Sequence, residues 1–247
     1  IAELFDIIDP QANAVVREAL VRTLATELED ELLAVYYASQ TPEYRIEHAD
    51  IGKRSLKNVC LSYLAFADVP QADKLVSAQY HHANNMTDTV AALSAAMAAQ
   101  LPCRTALFAD FDERWHQDGL VMDKWFALQA TSPAADVLAQ VRVLLSHRSF
   151  TLSNPNRIRS LIGAFASANP SAFHAADGSG YQFLVEILSD LNTRNPQVAA
   201  RMIEPLIRLK RYDAGRQALM RQALEQLKGL DKLSGDLFEK ITKALNA

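Results

Sequence analysis

Apolar residues recur at helical spacing along almost the whole chain, and no stretch alternates as a half-buried strand would. Leu56, Val59, Cys60, Tyr63 and Leu64 form one such series. The spacing returns in Val90, Leu93, Met97 and Leu101, in Ile158, Leu161, Ile162 and Phe165, and in Val198, Met202, Leu206 and Leu209. It closes the chain in Met220, Leu224 and Leu227, then Leu237, Ile241 and Leu245. Residues three and four apart share one face of a 3.6-residue helix, so each series predicts an amphipathic helix with one buried stripe. Asp177-Gly178 occurs, but no apolar alternation flanks it to make a hairpin.

The prolines agree with an all-α reading. Asp9-Pro10, Thr41-Pro42, Ser132-Pro133, Asn154-Pro155, Asn169-Pro170 and Asn195-Pro196 each place proline behind a side-chain oxygen. The oxygen caps a helix start, and proline in the first turn gives up a donor that has no helical partner. These pairs read as helix starts, whereas Pro205 lies within a stripe and is expected to kink its helix. The expected helices are 11–39 (with a break allowed), 51–67, 70–79, 86–100, 104–117, 120–130, 134–146, 155–168, 179–193, 196–211, 213–228 and 234–245. About a dozen helices with short links make hairpin units of roughly 40 residues, the size of HEAT or armadillo repeats. The predicted fold is a superhelical stack of antiparallel helix pairs over residues 1–247 as a single helical domain, with a compact bundle as the alternative. No internal sequence similarity accompanies the spacing.

Composition narrows the function classes. With 49% hydrophobic and 22% charged residues the chain has the makeup of a folded globular protein, which argues against disorder. A net charge of −4 weakens any general nucleic-acid reading. No apolar run reaches the roughly 20 residues of a membrane helix. Two cysteines, Cys60 and Cys103, argue against a disulfide framework and suit a reducing compartment. The chain opens on Ile1, without a basic n-region, and is expected to be a piece of something longer.

Few residues suggest chemistry. H-E-x-x-H is absent, and the neighbouring His81 and His82 point to different helix faces, so surface histidines are the plainer reading than a metal pair. Gly178-Ser179-Gly180 lacks the lysine and spacing of a phosphate loop and reads as a turn before a helix. Glu27, Glu29, Asp30 and Glu31 read as a solvated helix face. Trp115, Trp125 and Phe126 lie on stripes and are expected in the core. The arginines are more informative. Arg157 and Arg159 occupy the first turn of a helix, where cations oppose the dipole, and a helix start with arginine suits a carboxylate or phosphate ligand. The competing reading pairs them with acids on a neighbouring helix. In the second cluster, Arg201, Arg208, Lys210 and Arg211, the nearby Glu204 is placed to pair with either Arg201 or Arg208.

Beyond these patterns, long runs carry a resemblance. NPNRIRSLIGAFASANPSAFHAADGSGYQFLVEIL (154–188), RNPQVAARMIEPLIRLKRYDAGRQ (194–217) and LEQLKGLDKLSGDLFEKITKAL (224–245) resemble the C-terminal region of the bacterial aminopeptidase N family, gluzincin alanyl aminopeptidases. LFDIIDP (4–10), ANNMTDTVAALSAAMAAQLPCR (83–104) and GLVMDKWFALQATSPAA (119–135) are similar as well. The resemblance spans essentially the whole chain. It implies a cytoplasmic, zinc-dependent enzyme that removes N-terminal residues from peptides. Its H-E-x-x-H zinc site and G-x-M-E-N amine-recognition loop are absent from this sequence, so neither catalytic residues nor a cofactor are expected in this chain; zinc belongs to the parent enzyme. Its last domain is a helical superhelix that packs on the enzyme's own N-terminal catalytic domains and closes the active-site cavity, and the chain is expected to begin inside that domain. The resemblance further implies that Arg159 and Arg201 line the substrate channel and meet the carboxyl side of a bound peptide. Peptides are then the expected ligands, with no nucleic-acid or membrane partner. The alternative is an independent helical-repeat scaffold that binds a protein or peptide on its concave face.

Overall fold

Every regular element of the computed structural model, which describes residues 4–246, is helical. Ile1–Glu3, part of the chain start that suggested a longer protein, lie outside the described residues. The contacts divide into two compact units, one of Val15–Leu128 and one of Gln129–Ala247 with the stretch up to Ala14. The boundaries fall within helices α1 (Pro10–Glu27) and α7 (Gly119–Ala130).

In the unit of Val15–Leu128, α2 (Glu29–Ala38) packs on α3 (His48–Leu64), and α4 (Val69–His82) packs on α5 (Met86–Ala98). Helix α5 also contacts α3 and α6 (Arg104–Trp115). The predicted stripe of α3 turns Cys60 and Leu64 inward, and Val76, Tyr80, Leu93 and Phe111 are buried in the same unit. Leu56 and Val59, on the same stripe, remain half exposed. Trp125 and Phe126 are buried as expected, and Trp125 Nε1 donates to Phe108 O at 2.9 Å; Trp115 is only partly covered. Both cysteines are unpaired thiols. A polar network runs through this apolar packing: Lys57 Nζ donates to Asp88 Oδ2 at 2.6 Å, with both side chains only 6% exposed. Asn58 and Asn85 also donate to the Asp88 carboxylate, at 2.9 and 3.0 Å.

In the other unit, α12 (Ser179–Arg194) packs against α15 (Ala214–Lys228) and α13 (Pro196–Met202), while α16 (Gly235–Asn246) packs on α13 and α15. Helices α8 (Val137–Leu144), α9 (Pro155–Ile158), α10 (Ala164–Ala168), α11 (Pro170–Phe173) and α14 (Glu204–Ile207) complete it. Phe165 lies edge-on to Phe173 and Phe183 at 6.1 and 5.6 Å, an arrangement that aligns ring edges with ring faces at the centre of the core.

Several expectations are refined by tertiary contacts. The stretch 11–39 breaks at Leu28. Thr41-Pro42 starts no helix: residues 39–47 form a loop, held where Arg54 donates to Arg45 O and its guanidinium covers the Tyr44 ring. Ser132-Pro133 lies in an irregular link ahead of α8 rather than at a helix start, and there Asn169 Nδ2 donates to the Ala130 and Ser132 carbonyls at 3.0 and 2.8 Å. Asn169 therefore precedes α11 without capping it. The kink expected at Pro205 is a full break: α13 ends at Met202, α14 carries Pro205 in its first turn, and a 3₁₀ turn follows at Leu209–Arg211.

Candidate functional site

The segment around Arg159 is built from a helix start and a widened turn. Asn154 is extended and its Oδ1 accepts the Asn156 N–H at 2.9 Å, while Pro155 fills the first helical position. Helix α9 lasts one turn. At Arg159 the backbone opens into a π-helical segment, Arg159–Gly163, before α10 resumes the α form. Single π turns recur at functional sites because they re-aim the side chains that follow. Here Arg157 and Ile158 are buried, while Arg159 is exposed. The guanidinium of Arg159 donates from Nη2 to Asn156 Oδ1. Among the described residues no carboxylate pairs with it, so the ion-pair reading of this arginine does not hold.

Arg201 is exposed in the last turn of α13, whose start is capped by Asn195 through the Val198 N–H at 3.2 Å. Glu204 bonds neither Arg201 nor Arg208. Lys240 reaches across from α16 to hold it, and the same ammonium donates to Ala200 O at 2.7 Å. Arg201 is thereby left without an acid partner among the described residues. The elements that carry the two arginines touch: a Cβ placed on Gly163 would lie 3.3 Å from Met202 Cε and 3.8 Å from Arg159 Cβ. The rest of the basic cluster disperses. Arg208 and Lys210 are exposed, and Arg211 donates to Phe5 O at 3.2 Å.

His81 and His82 sit in the last turn of α4, both exposed. His82 Nδ1 lies 2.8 Å from Ala78 O, and the His81 ring meets Tyr80 edge-on. Among the described residues no three His, Cys, Asp or Glu side chains come together as a metal site needs, so the donor set here does not fit a zinc ion. Gly178 turns at φ 73° into α12, as the turn reading of Gly178-Ser179-Gly180 requires. Glu29, Asp30 and Glu31 form the first turn of α2, where their charge suits the helix dipole.

A family model described as "Domain of unknown function (DUF3458_C) ARM repeats" matches residues 1–246. The chain belongs to the DUF3458_C ARM-repeat family. Aminopeptidase N of Escherichia coli is 74% identical over 99% of this chain, and that of Haemophilus influenzae is 52% identical over 99%. The DUF3458_C chain spans about 28% of the length of these curated relatives. A crystal structure of Legionella pneumophila aminopeptidase A in complex with aspartic acid superposes with a TM-score of 0.89 at 29% identity, covering 99% of this chain and 30% of that one. The all-α repeat architecture read from the stripes is thus the architecture of the family.

One polar centre of this DUF3458_C chain escaped the sequence reading. His174 is 3% exposed, stacked on Tyr212 at 4.0 Å, with Nδ1 2.9 Å from the Tyr181 hydroxyl. Its carbonyl accepts from Arg216 Nε at 2.8 Å and Gln11 Nε2 at 3.3 Å. Burial first, and the Arg216 charge second, push the imidazole down to about 4. The unfolded chain, with its histidine near 6.5, binds the proton more readily, so this contribution is complete above pH 6.5 and is lost as pH falls toward 4. Between pH 7.5 and 4.5 the loss from this group is expected to be about 2–3 kcal/mol. Urea unfolding at both pH values checks it: His174→Phe should flatten the pH dependence by that amount, and an unchanged dependence would contradict the assignment. No periodic or motif signal marks this residue, because its burial depends on α11, α12 and α15 meeting.

Proposed function

We propose that this chain is most of the last, helical domain of a zinc-dependent aminopeptidase that removes N-terminal residues from peptides. In this reading it closes the active-site cavity against the enzyme's own N-terminal catalytic domains and performs no bond breaking itself. The 74% identity to aminopeptidase N across 99% of the chain carries the reading. Closure supports catalysis by excluding water and folded proteins from the cavity.

Arg159 and Arg201 are the residues proposed to meet the carboxyl side of a bound peptide. What supports them is that both are exposed, both lack acid partners among the described residues, and they stand on touching elements. An uncompensated guanidinium offers a planar fork of donors that matches a carboxylate. Far from the scissile bond, such groups orient the peptide and leave proton transfer to others. In the full-length enzyme, Arg159→Ala is therefore expected to raise KM by about 10-fold with kcat changed less than about twofold. Steady-state kinetics on a short alanyl peptide decides it, and a fall in kcat at unchanged KM would refute the positioning role.

A further inference from the structure

We propose that Asn156 is a positioning residue that aims the Arg159 guanidinium at the terminal carboxylate of a short peptide, an inference that rests on the peptide-contact role above. An exposed arginine samples many rotamers, and a ligand that captures it must order them; a guanidinium held in advance loses less on binding. Asn156 Oδ1 holds Arg159 Nη2, and no other side chain or carbonyl among the described residues takes a hydrogen bond from this guanidinium. The two residues lie three apart, where side chains on a helical turn meet. Asn156 is available for this because Asn154, not Asn156, caps the helix, and that cap fixes the Asn156 backbone through its N–H.

The choice of an amide matters. A neutral acceptor orients the arginine and leaves its full charge for the ligand, whereas a carboxylate at the same place would neutralise it. The π-helical turn that begins at Arg159 separates it from buried Arg157, so the hydrogen bond serves the exposed guanidinium and not the core. Contact of Gly163 with Met202 keeps this segment against α13, which carries Arg201.

The test uses the full-length aminopeptidase with a free-acid tripeptide and its C-terminal amide as substrates. Asn156→Ala is expected to raise KM for the acid about 3- to 10-fold, with kcat near the parent value and KM for the amide unchanged. Asn156→Asp should raise the acid KM at least as much, although it keeps a hydrogen-bond acceptor. Arg159→Ala should remove the difference between acid and amide. If Asn156→Ala leaves the acid KM unchanged while Arg159→Ala raises it, the positioning role is wrong and the peptide-contact reading stands. An equal change for both substrates, or a change in thermal stability alone, would make Asn156 structural and overturn the proposal. If Arg159→Ala leaves the acid–amide difference intact, the peptide-contact reading fails and this inference fails with it.

Discussion

Replacing Lys57 by alanine is expected to destabilise the fold by about 3–5 kcal/mol, because it strands a buried carboxylate. Lys57 and Asp88 are each 6% exposed and 2.6 Å apart. Burial alone would raise the Asp88 pKa, but hydrogen bonds from Lys57, Asn85 and Asn58 outweigh it and hold the carboxyl below its ordinary range. Asp88→Ala should cost a similar amount, since it leaves the Lys57 ammonium buried without its acceptor. The double variant Lys57→Met/Asp88→Leu should recover much of either loss, as apolar pairs of similar volume replace buried ion pairs with little penalty. Denaturant unfolding of Lys57→Met, Asp88→Leu and the double variant closes a double-mutant cycle. Additive losses would show that the two groups are not coupled and that the pair is solvated.

A comparable loss, about 3–5 kcal/mol, is expected from Gly180→Ala, by a different route. A Cβ at this position would lie 2.2 Å from Phe173 O and 2.8 Å from Phe173 Cα. The obstacle is backbone at the end of α11, so no side chain can swing aside, and α12 must move off its seat. Gly52, in the exposed interior of α3, has nothing within 4 Å of the same added atom. Gly52→Ala should instead stabilise the chain by about 0.5–1 kcal/mol through helix propensity. Thermal unfolding of both variants separates close approach from propensity: equal and small shifts would show that Gly180 tolerates a side chain.

The two glycines illustrate where sequence reading stops. Both fall within the expected helices 51–67 and 179–193, and although Gly180 belongs to a Gly-Ser-Gly turn, nothing local shows that it meets a backbone carbonyl. The same limit applies to the arginines of the 154–160 run. Their placement at a helix start was legible from Asn154-Pro155, but the π-helical turn that leaves Arg159 exposed and Arg157 buried was not. Glu204 shows the limit for charges. Spacing placed it beside Arg201 and Arg208, and the partner that holds it, Lys240, comes from a helix more than thirty residues along the chain. Thr41-Pro42 and Asn154-Pro155 look alike as cap-and-proline pairs, yet only the second opens a helix.

The sequence by itself determined that the chain is helical, where most helices begin and end, and that long runs match a known family. Those properties depend on periodicity, caps and prolines, which act within a turn or two of the residues that carry them. Tertiary structure decided which charges are buried as a pair, which are held by a distant lysine and which remain exposed. It also decided that His174 is enclosed and that Gly180 meets a backbone carbonyl. Each of these depends on surfaces brought together from separate helices, and desolvation and close approach have no local signature along a chain.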